Sequence, residues 1–225
     1  MNLLFVGPPG AGKGTQAKRF AQNGAVHLAT GDILRQEKEL KTPAGLLYEQ
    51  LCSTGGFAPD RLVAGIITMR LDSLLNAGPW GGYILDGFPR NIEQARIFDD
   101  FTTRDKKLTL DHVIAFQLSD AESIARMTRR WQCTCGQTYG KLHRAPDNHR
   151  CTHCSRALYQ RPEDSATAAP VRIAKYHEQT APLLAHYKTI LYNADASKEP
   201  DQVYADIRAY IQSKTTKVYT RTRSR

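Results

Sequence analysis

Short apolar runs closed by glycines or polar turns alternate along this chain with stretches whose apolar positions recur at helical spacing. The runs at residues 2–6, 26–28, 83–85, 112–118 and 191–194 read as strands. Between them, residues 13–21, 33–40, 43–52, 60–76, 92–101, 171–191 and 200–213 read as helices, with a further helix that ends near Arg130. Thr30 or Asp32 is placed to cap the second helix and Asp120 the one before Arg130. Strands that alternate with helices imply a parallel sheet covered on both faces, an α/β fold. Residues 131–159 break the alternation. They have no helical period, four cysteines, three histidines and many turn formers, so this unit is expected to be held by something other than an apolar core.

A length of 225 residues suits one domain carrying inserts, and 41% hydrophobic with 24% charged residues is a globular composition without repeats. No apolar run reaches the roughly 18 residues of a membrane helix. The N-terminal stretch Leu3–Val6 is far too short for a signal peptide and runs into glycines, so a cytoplasmic protein is expected. The net charge of +9 changes the picture only locally. Residues 129–161 hold seven Lys/Arg against one acid, and residues 214–225 hold five and no acid, while the rest carries 19 basic against 21 acidic residues. The last twelve residues, Thr-rich and without apolar period, are expected to be a disordered tail.

Gly7 to Thr15, Gly-Pro-Pro-Gly-Ala-Gly-Lys-Gly-Thr, follows a strand and opens a helix, the context a phosphate loop requires. Its backbone N–H groups and the helix N-terminus can converge on phosphate oxygens. Lys13 can reach the β- and γ-phosphates and the Thr15 hydroxyl a metal, although Gly14 intervenes where the strict pattern has Ser or Thr directly after Lys. The form GxPGxGKGT resembles that of adenylate kinases, and further blocks agree in order and spacing over residues 1 to about 212. Thr30-Gly31-Asp32-Ile33-Leu34-Arg35 resembles the family's AMP-holding TGDLLR, and Asp86-Gly87-Phe88-Pro89-Arg90 with Gln94 resembles its DGFPR…Q. Arg126 and Arg130 resemble the arginines entering the lid, although Arg129 could exchange with Arg130, and Arg161 and Arg172 resemble the pair on the return path.

The resemblance implies a P-loop NTPase-like core (residues 1–29, 60–130 and 162–213), a helical monophosphate-binding insert (30–59) and a cysteine-containing lid (131–161). It implies ATP bound by Gly10, Ala11, Gly12, Lys13, Gly14, Thr15, Arg126, Arg130 and Lys198. AMP would be bound by Thr30, Arg35, Ala58, Gly87, Arg90, Gln94, Arg161 and Arg172, with Asp86 orienting Mg²⁺. Lys13, Asp86, Arg90, Arg126, Arg130, Arg161 and Arg172 would carry the catalysis, in a monomer that interconverts ATP plus AMP with two ADP. The residue types agree with that chemistry. A phosphate acceptor with a second pKa near 6 is largely dianionic at neutral pH and needs no general base. Guanidinium forks suit the stabilisation of spreading phosphoryl charge. GTP:AMP phosphotransfer is the nearest alternative.

Cys133-x-Cys135 and Cys151-x-x-Cys154 could hold a structural Zn²⁺ as four thiolates. The family's lids carry two CxxC pairs, whereas the first pair here is CxC, which leaves His143, His149 and His153 as substitutes for Cys133. A zinc-knuckle nucleic-acid module is the different-class alternative, and the balanced core with few aromatics in the basic segments speaks against it. No dedicated nucleic-acid or membrane partner is expected.

Overall fold

A computed structural model of the chain describes residues 1–53, 59–78, 81–140 and 144–222. In chain order the first elements are β1 (Leu3–Val6), α1 (Lys13–Ala21), β2 (Val26–Ala29), α2 (Thr30–Glu39), α3 (Pro43–Ser53), α4 (Asp60–Asn76), β3 (Tyr83–Asp86) and α5 (Ile92–Thr102). Then come β4 (His112–Gln117), α6 (Asp120–Thr128), β5 (Trp131–Gln132), β6 (Thr138–Tyr139), α7 (Ala168–Lys175), α8 (Pro182–His186), β7 (Leu191–Asp195) and α9 (Pro200–Thr222). The fold is the expected α/β one: five parallel strands in the order β2-β3-β1-β4-β7.

The strands read as unbroken apolar runs because both sheet faces are buried. Leu4 and Val6 of β1, Tyr83 and Leu85 of β3 and Val113 of β4 point to one side, where α4 and α5 cover them with Ile67, Leu71 and Phe98. Leu3, Phe5, Ile84, Ile114 and Phe116 point to the other, against Phe20 of α1 and Val203 and Ile207 of α9. The chain therefore leaves β1 and β3 on opposite faces. Neighbouring parallel strands whose connections diverge in this way leave a crevice beyond their C-terminal ends, the usual ligand position in such sheets.

Several boundaries differ from the sequence reading. Ser119, not Asp120, caps α6, accepting from Glu122 N at 3.3 Å. Neither Thr30 nor Asp32 caps α2, because the helix starts at Thr30 itself behind Ala29. The long helix expected over 171–191 is broken into α7, a π-helical turn Tyr176–Thr180, and α8. Pro182 has no N–H to continue the ladder, and the preceding Ala181 N donates instead to Tyr176 O at 2.9 Å, the wider i→i−5 bond.

The helix α9 runs on to Thr222, past the expected end at Ser213 and into the segment whose composition suggests disorder. No Gly or Pro follows Pro200, so nothing in the sequence stops the helix. Among its described side chains, Val203 and Ile207 are buried and Tyr210 and Ile211 partly so. Deleting residues 214–225 is expected to change stability by less than about 1 kcal/mol. A larger loss in thermal denaturation would show that this segment packs on the core.

The described residues of the cysteine segment, 131–140 and 144–161, form a small layer with its own two-stranded sheet. There β5 pairs antiparallel with β6, and Gln132 and Tyr159 exchange backbone hydrogen bonds of 2.8 Å. Its only apolar cluster among the described residues is Cys133, Tyr139, Cys151 and Leu158, with Trp131, Ala145 and Cys154 against it. No described helix is long and apolar enough to cross a membrane.

Candidate active site

The end of β1 passes directly into the glycine loop. Gly10 and Gly12 have φ of 84° and 83°, left-handed values that disfavour side chains, and a Cβ at Gly10 would stand 2.9 Å from Ser123 O. Gly12 is the N-cap of α1 and no side chain caps that helix, so the first-turn N–H groups are left for an anion. The α6 helix braces the loop: the Ser123 hydroxyl donates to Pro9 O, and Arg126 packs beside Gly10.

Lys13 folds back over this loop, its Nζ donating to Gly7 O at 2.8 Å and Pro8 O at 2.9 Å. Burial, followed by repulsion from Arg130, Arg172 and Arg90, lowers its pKa to about 8 against the pull of Asp86. That ammonium is short of negative charge, as a site built for phosphate should be. Asp86 ends β3 with its side chain 17% exposed, and His27 Nε2 lies 3.4 Å from its Oδ2. Burial pushes the Asp86 carboxyl up, but the hydrogen bond from His27 and the fields of Lys13 and Arg90 outweigh it and keep the group ionised. A Cβ at Gly14 would stand 3.2 Å from Asp86 Oδ2, so carboxylate and loop are in contact. An ionised carboxylate touching a phosphate loop that also carries the Thr15 hydroxyl is a donor set suited to Mg²⁺.

Beyond β3, Arg90 Nε donates to Gly87 O at 2.8 Å, leaving the other guanidinium donors to the crevice. Gln94 is buried on α5, its Oε1 accepting from Arg90 N at 2.8 Å. Thr30 is 1% exposed and its hydroxyl has no partner among the described groups. It sits 3.8 Å from where a Cβ on Gly87 would lie. A buried orphan hydroxyl carries a desolvation penalty that a polar ligand would relieve. It is free because α2 begins at Thr30 itself, so its hydroxyl caps nothing. Arg35 is half exposed and pairs with Asp32.

Two of the remaining arginines, Arg130 and Arg172, meet on a carboxylate that sequence reasoning missed. Asp164 is 3% exposed and accepts a bidentate pair from Arg130, 2.8 Å to Nε and 2.7 Å to NH2, and a further bond of 2.5 Å from Arg172 NH1. Of the two neighbours, Arg129 is the C-cap of α6 and Arg130 turns to Asp164. Burial, with repulsion from Arg130 and Arg35, lowers the Arg161 pKa, while its Nε donates to Gln132 Oε1. Burial also lowers the pKa of Arg172. Lys13, Arg90, Arg130, Arg172, Arg161 and Arg35 thus converge. Two expected residues are engaged elsewhere. Arg126 donates to Glu122 and Ala196 O, each at 2.9 Å, and Lys198 Nζ to Asp206 at 2.8 Å. Ala58 and His143 lie outside the described residues.

In the small layer all four expected cysteines meet, their sulfurs within 4.8 Å of one another. Cys133 and Cys154 sulfurs are 3.3 Å apart and those of Cys135 and Cys151 3.6 Å, too far for disulfides near 2.05 Å. A tetrahedron of Zn–S bonds near 2.3 Å would place them about 3.8 Å apart. The CxC spacing closes through a tight turn, with Gly136 N donating to Cys133 O at 2.9 Å. His149 stacks on Trp131, and His153 contributes its backbone N–H to Cys151 Sγ at 3.4 Å. Desolvation raises the Cys151 pKa, but the Tyr139 hydroxyl and the N–H groups of His153 and Cys154 draw it down to about 6. The Tyr139 role was not read from the sequence, where a lone tyrosine has no distinguishing signal.

The family model for adenylate kinase matches residues 5–191. The chain is 36% identical to an adenylate kinase of Archaeoglobus fulgidus over 94% of this chain and 98% of that protein. It is 38% identical to one from Carboxydothermus hydrogenoformans over 94% of this chain and the relative's full length. With one from Aspergillus niger the identity is 38% over 92% of this chain and 81% of that protein. Loop, cation cluster and whole-length similarity agree, and the chain belongs to the adenylate kinase family.

Proposed function

We propose that this chain catalyses reversible transfer of the γ-phosphoryl group of MgATP to AMP, giving two ADP. The observation that carries the reading is Lys13 and Arg90 set around the ionised Asp86 beside the glycine loop, with Arg130 and Arg172, both held by Asp164, near enough to repel Lys13. Two polyanions must be brought together and the charge of the moving phosphoryl group spread, and fixed cations with loop N–H groups do both. The loop and α1 would take the ATP phosphates, with Arg126 beside them and Lys198 toward the donor base. Thr30, Arg35, Gly87, Arg90, Gln94, Arg161 and Arg172 would take AMP, with Arg130 on the ATP side. Asp86 and Thr15 would hold Mg²⁺, which supplies charge neutralisation across the β- and γ-phosphates.

Residues 30–59 and 131–161 are proposed to cover the two nucleotides and keep water, the competing acceptor, away from the phosphoryl group. Support comes from the repulsion Arg161 feels from Arg35 on the opposite segment, and from Lys18 of α1 donating to Gly136 O at 2.6 Å. The four-cysteine layer is proposed to hold structural Zn²⁺. One chain supplies every group named, so the proposed working unit is a monomer.

A coupled assay crossing ATP and GTP with AMP, CMP, UMP and GMP tests the reading. ATP with AMP is expected to turn over fastest, and folded protein without AMP-dependent ADP formation would refute it. Two adenosines joined by five phosphates should inhibit at far lower concentration than AMP, because one molecule carries both binding energies. The compound should also raise the melting temperature by several degrees. Equal potency of the compound and AMP would argue against adjoining sites.

A further inference from the structure

We propose that Asp60 is a positioning residue that sets the acceptor base by holding the Gln94 amide in one orientation; this rests on the acceptor reading above. Asp60 opens α4, and its Oδ1 accepts from Gln94 Nε2 at 2.8 Å and from Asn91 Nδ2 at 3.0 Å. Asn91 caps α5 by accepting from Gln94 N at 2.8 Å, and Gln94 Oε1 accepts from Arg90 N at 2.8 Å. A carboxylate can only accept and a backbone N–H can only donate, so chemistry fixes which end of the amide is which. Turning the amide over would set oxygen against carboxylate and NH₂ against N–H. Gln94 is 5% exposed, which leaves little room for water to relieve either mismatch.

Asp60 and Arg90 N use one donor and one lone pair of the amide, leaving one N–H and one lone pair in a fixed order. The Watson–Crick edge of adenine presents an acceptor at N1 and a donor at the 6-amino group. Hypoxanthine and guanine present the reverse, a donor at N1 and an acceptor at O6, and they would suit the same amide turned over. By blocking that turn, Asp60 favours a 6-aminopurine monophosphate over a 6-oxopurine one without touching the base. Specificity of this kind comes from the penalty imposed on the wrong partner.

Asp60→Asn is near-isosteric, yet its amide can donate or accept and so releases the constraint. With saturating MgATP, kcat and KM would be measured for AMP and for IMP, which differ at the 6-position and N1. The ratio of kcat/KM for AMP over IMP is expected to fall by roughly tenfold or more, the worth of one hydrogen bond, mainly through KM. Asp60→Glu should restore part of the ratio. A merely structural role would lower both substrates together and leave the ratio intact. An unchanged ratio in folded Asp60→Asn overturns the inference while leaving the acceptor reading standing, whereas wild type without AMP turnover overturns that reading itself. If Asp60→Asn does not fold, Asp60→Ser, whose hydroxyl also donates or accepts, carries the same expectation.

Discussion

Replacing Lys13 with Met is expected to lower kcat by two decades or more and, at the same time, to raise the melting temperature of the ligand-free protein. The first effect follows from losing a preorganised cation beside the transferring phosphoryl group. The second follows from burial. A lysine whose folded pKa lies near 8, below the ordinary 10.5, favours the unfolded chain whenever it is charged. The folded protein then binds fewer protons than the unfolded one between pH 8 and 10.5, so wild-type stability rises through that window. Below pH 8 the cost is at most about 3 kcal/mol, reduced by the hydrogen bonds that Lys13 gives to Gly7 O and Pro8 O. The stability advantage of the Met variant should thus be full at pH 7 and shrink toward pH 10.5, as read by denaturant unfolding at several pH values. Arg90→Ala should lose kcat similarly but with little change in stability, because Arg90 is exposed and makes one backbone bond at 2.8 Å. Normal kcat in either variant would mean that the reacting phosphates lie elsewhere.

What the sequence shows of this protein is what local chemistry decides. Parallel strands buried on both faces have to be apolar throughout, so Leu3–Val6 and Tyr83–Asp86 stand out without any knowledge of their partners. A phosphate loop must be built from glycines in a contiguous run, so it too is legible. Pairings across long separations are not. Asp164 lies 34 residues from Arg130, and no local pattern marks it as the anion that fixes two arginines; a lone buried acid among cations can be recognised only after folding. His27 meets Asp86 from a neighbouring strand, 59 residues away, through the register that sets Ala29 beside Asp86. Asp60 and Gln94 are likewise joined across two helices. Helix punctuation fails for a different reason. Pro182 signals a break, but whether the ladder stops or shifts to the wider bond depends on how α7 packs. Ser119, Asp120 and Thr30 are all competent caps by type, and only the turn geometry before each helix chooses among them.

Chelating the zinc proposed for the four-cysteine layer is expected to unfold residues 131–161 while the five-stranded sheet persists. Among its described residues the layer has four buried apolar-type ones, two of them cysteines, which is too little to hold some thirty residues against their conformational entropy. A metal shared by Cys133, Cys135, Cys151 and Cys154 would supply the missing stability, since structural zinc can contribute on the order of 10 kcal/mol in small domains. Purified protein should therefore contain about one equivalent of zinc per chain. After chelation, a separate low-temperature step should precede the main transition, and hydrogen exchange should quicken between Trp131 and Arg161 only. Cys154→Ala should reproduce both effects and lower activity mainly through looser closure, because no cysteine can stabilise phosphoryl charge. Cys133 gives the sharpest measurement. Its sulfur lies 3.3 Å from that of Cys154, and among the described residues only the four cysteines bring ligand atoms together there, so modifying Cys133 with a thiol reagent should release the metal. Zinc retained after Cys133 is blocked would mean that another ligand completes the tetrahedron. Zinc-free protein whose four lid thiols all titrate freely, with the layer still folded, would show that hydrogen bonds such as that from the Tyr139 hydroxyl to Cys151 and that from Thr152 N to the same hydroxyl hold the layer alone.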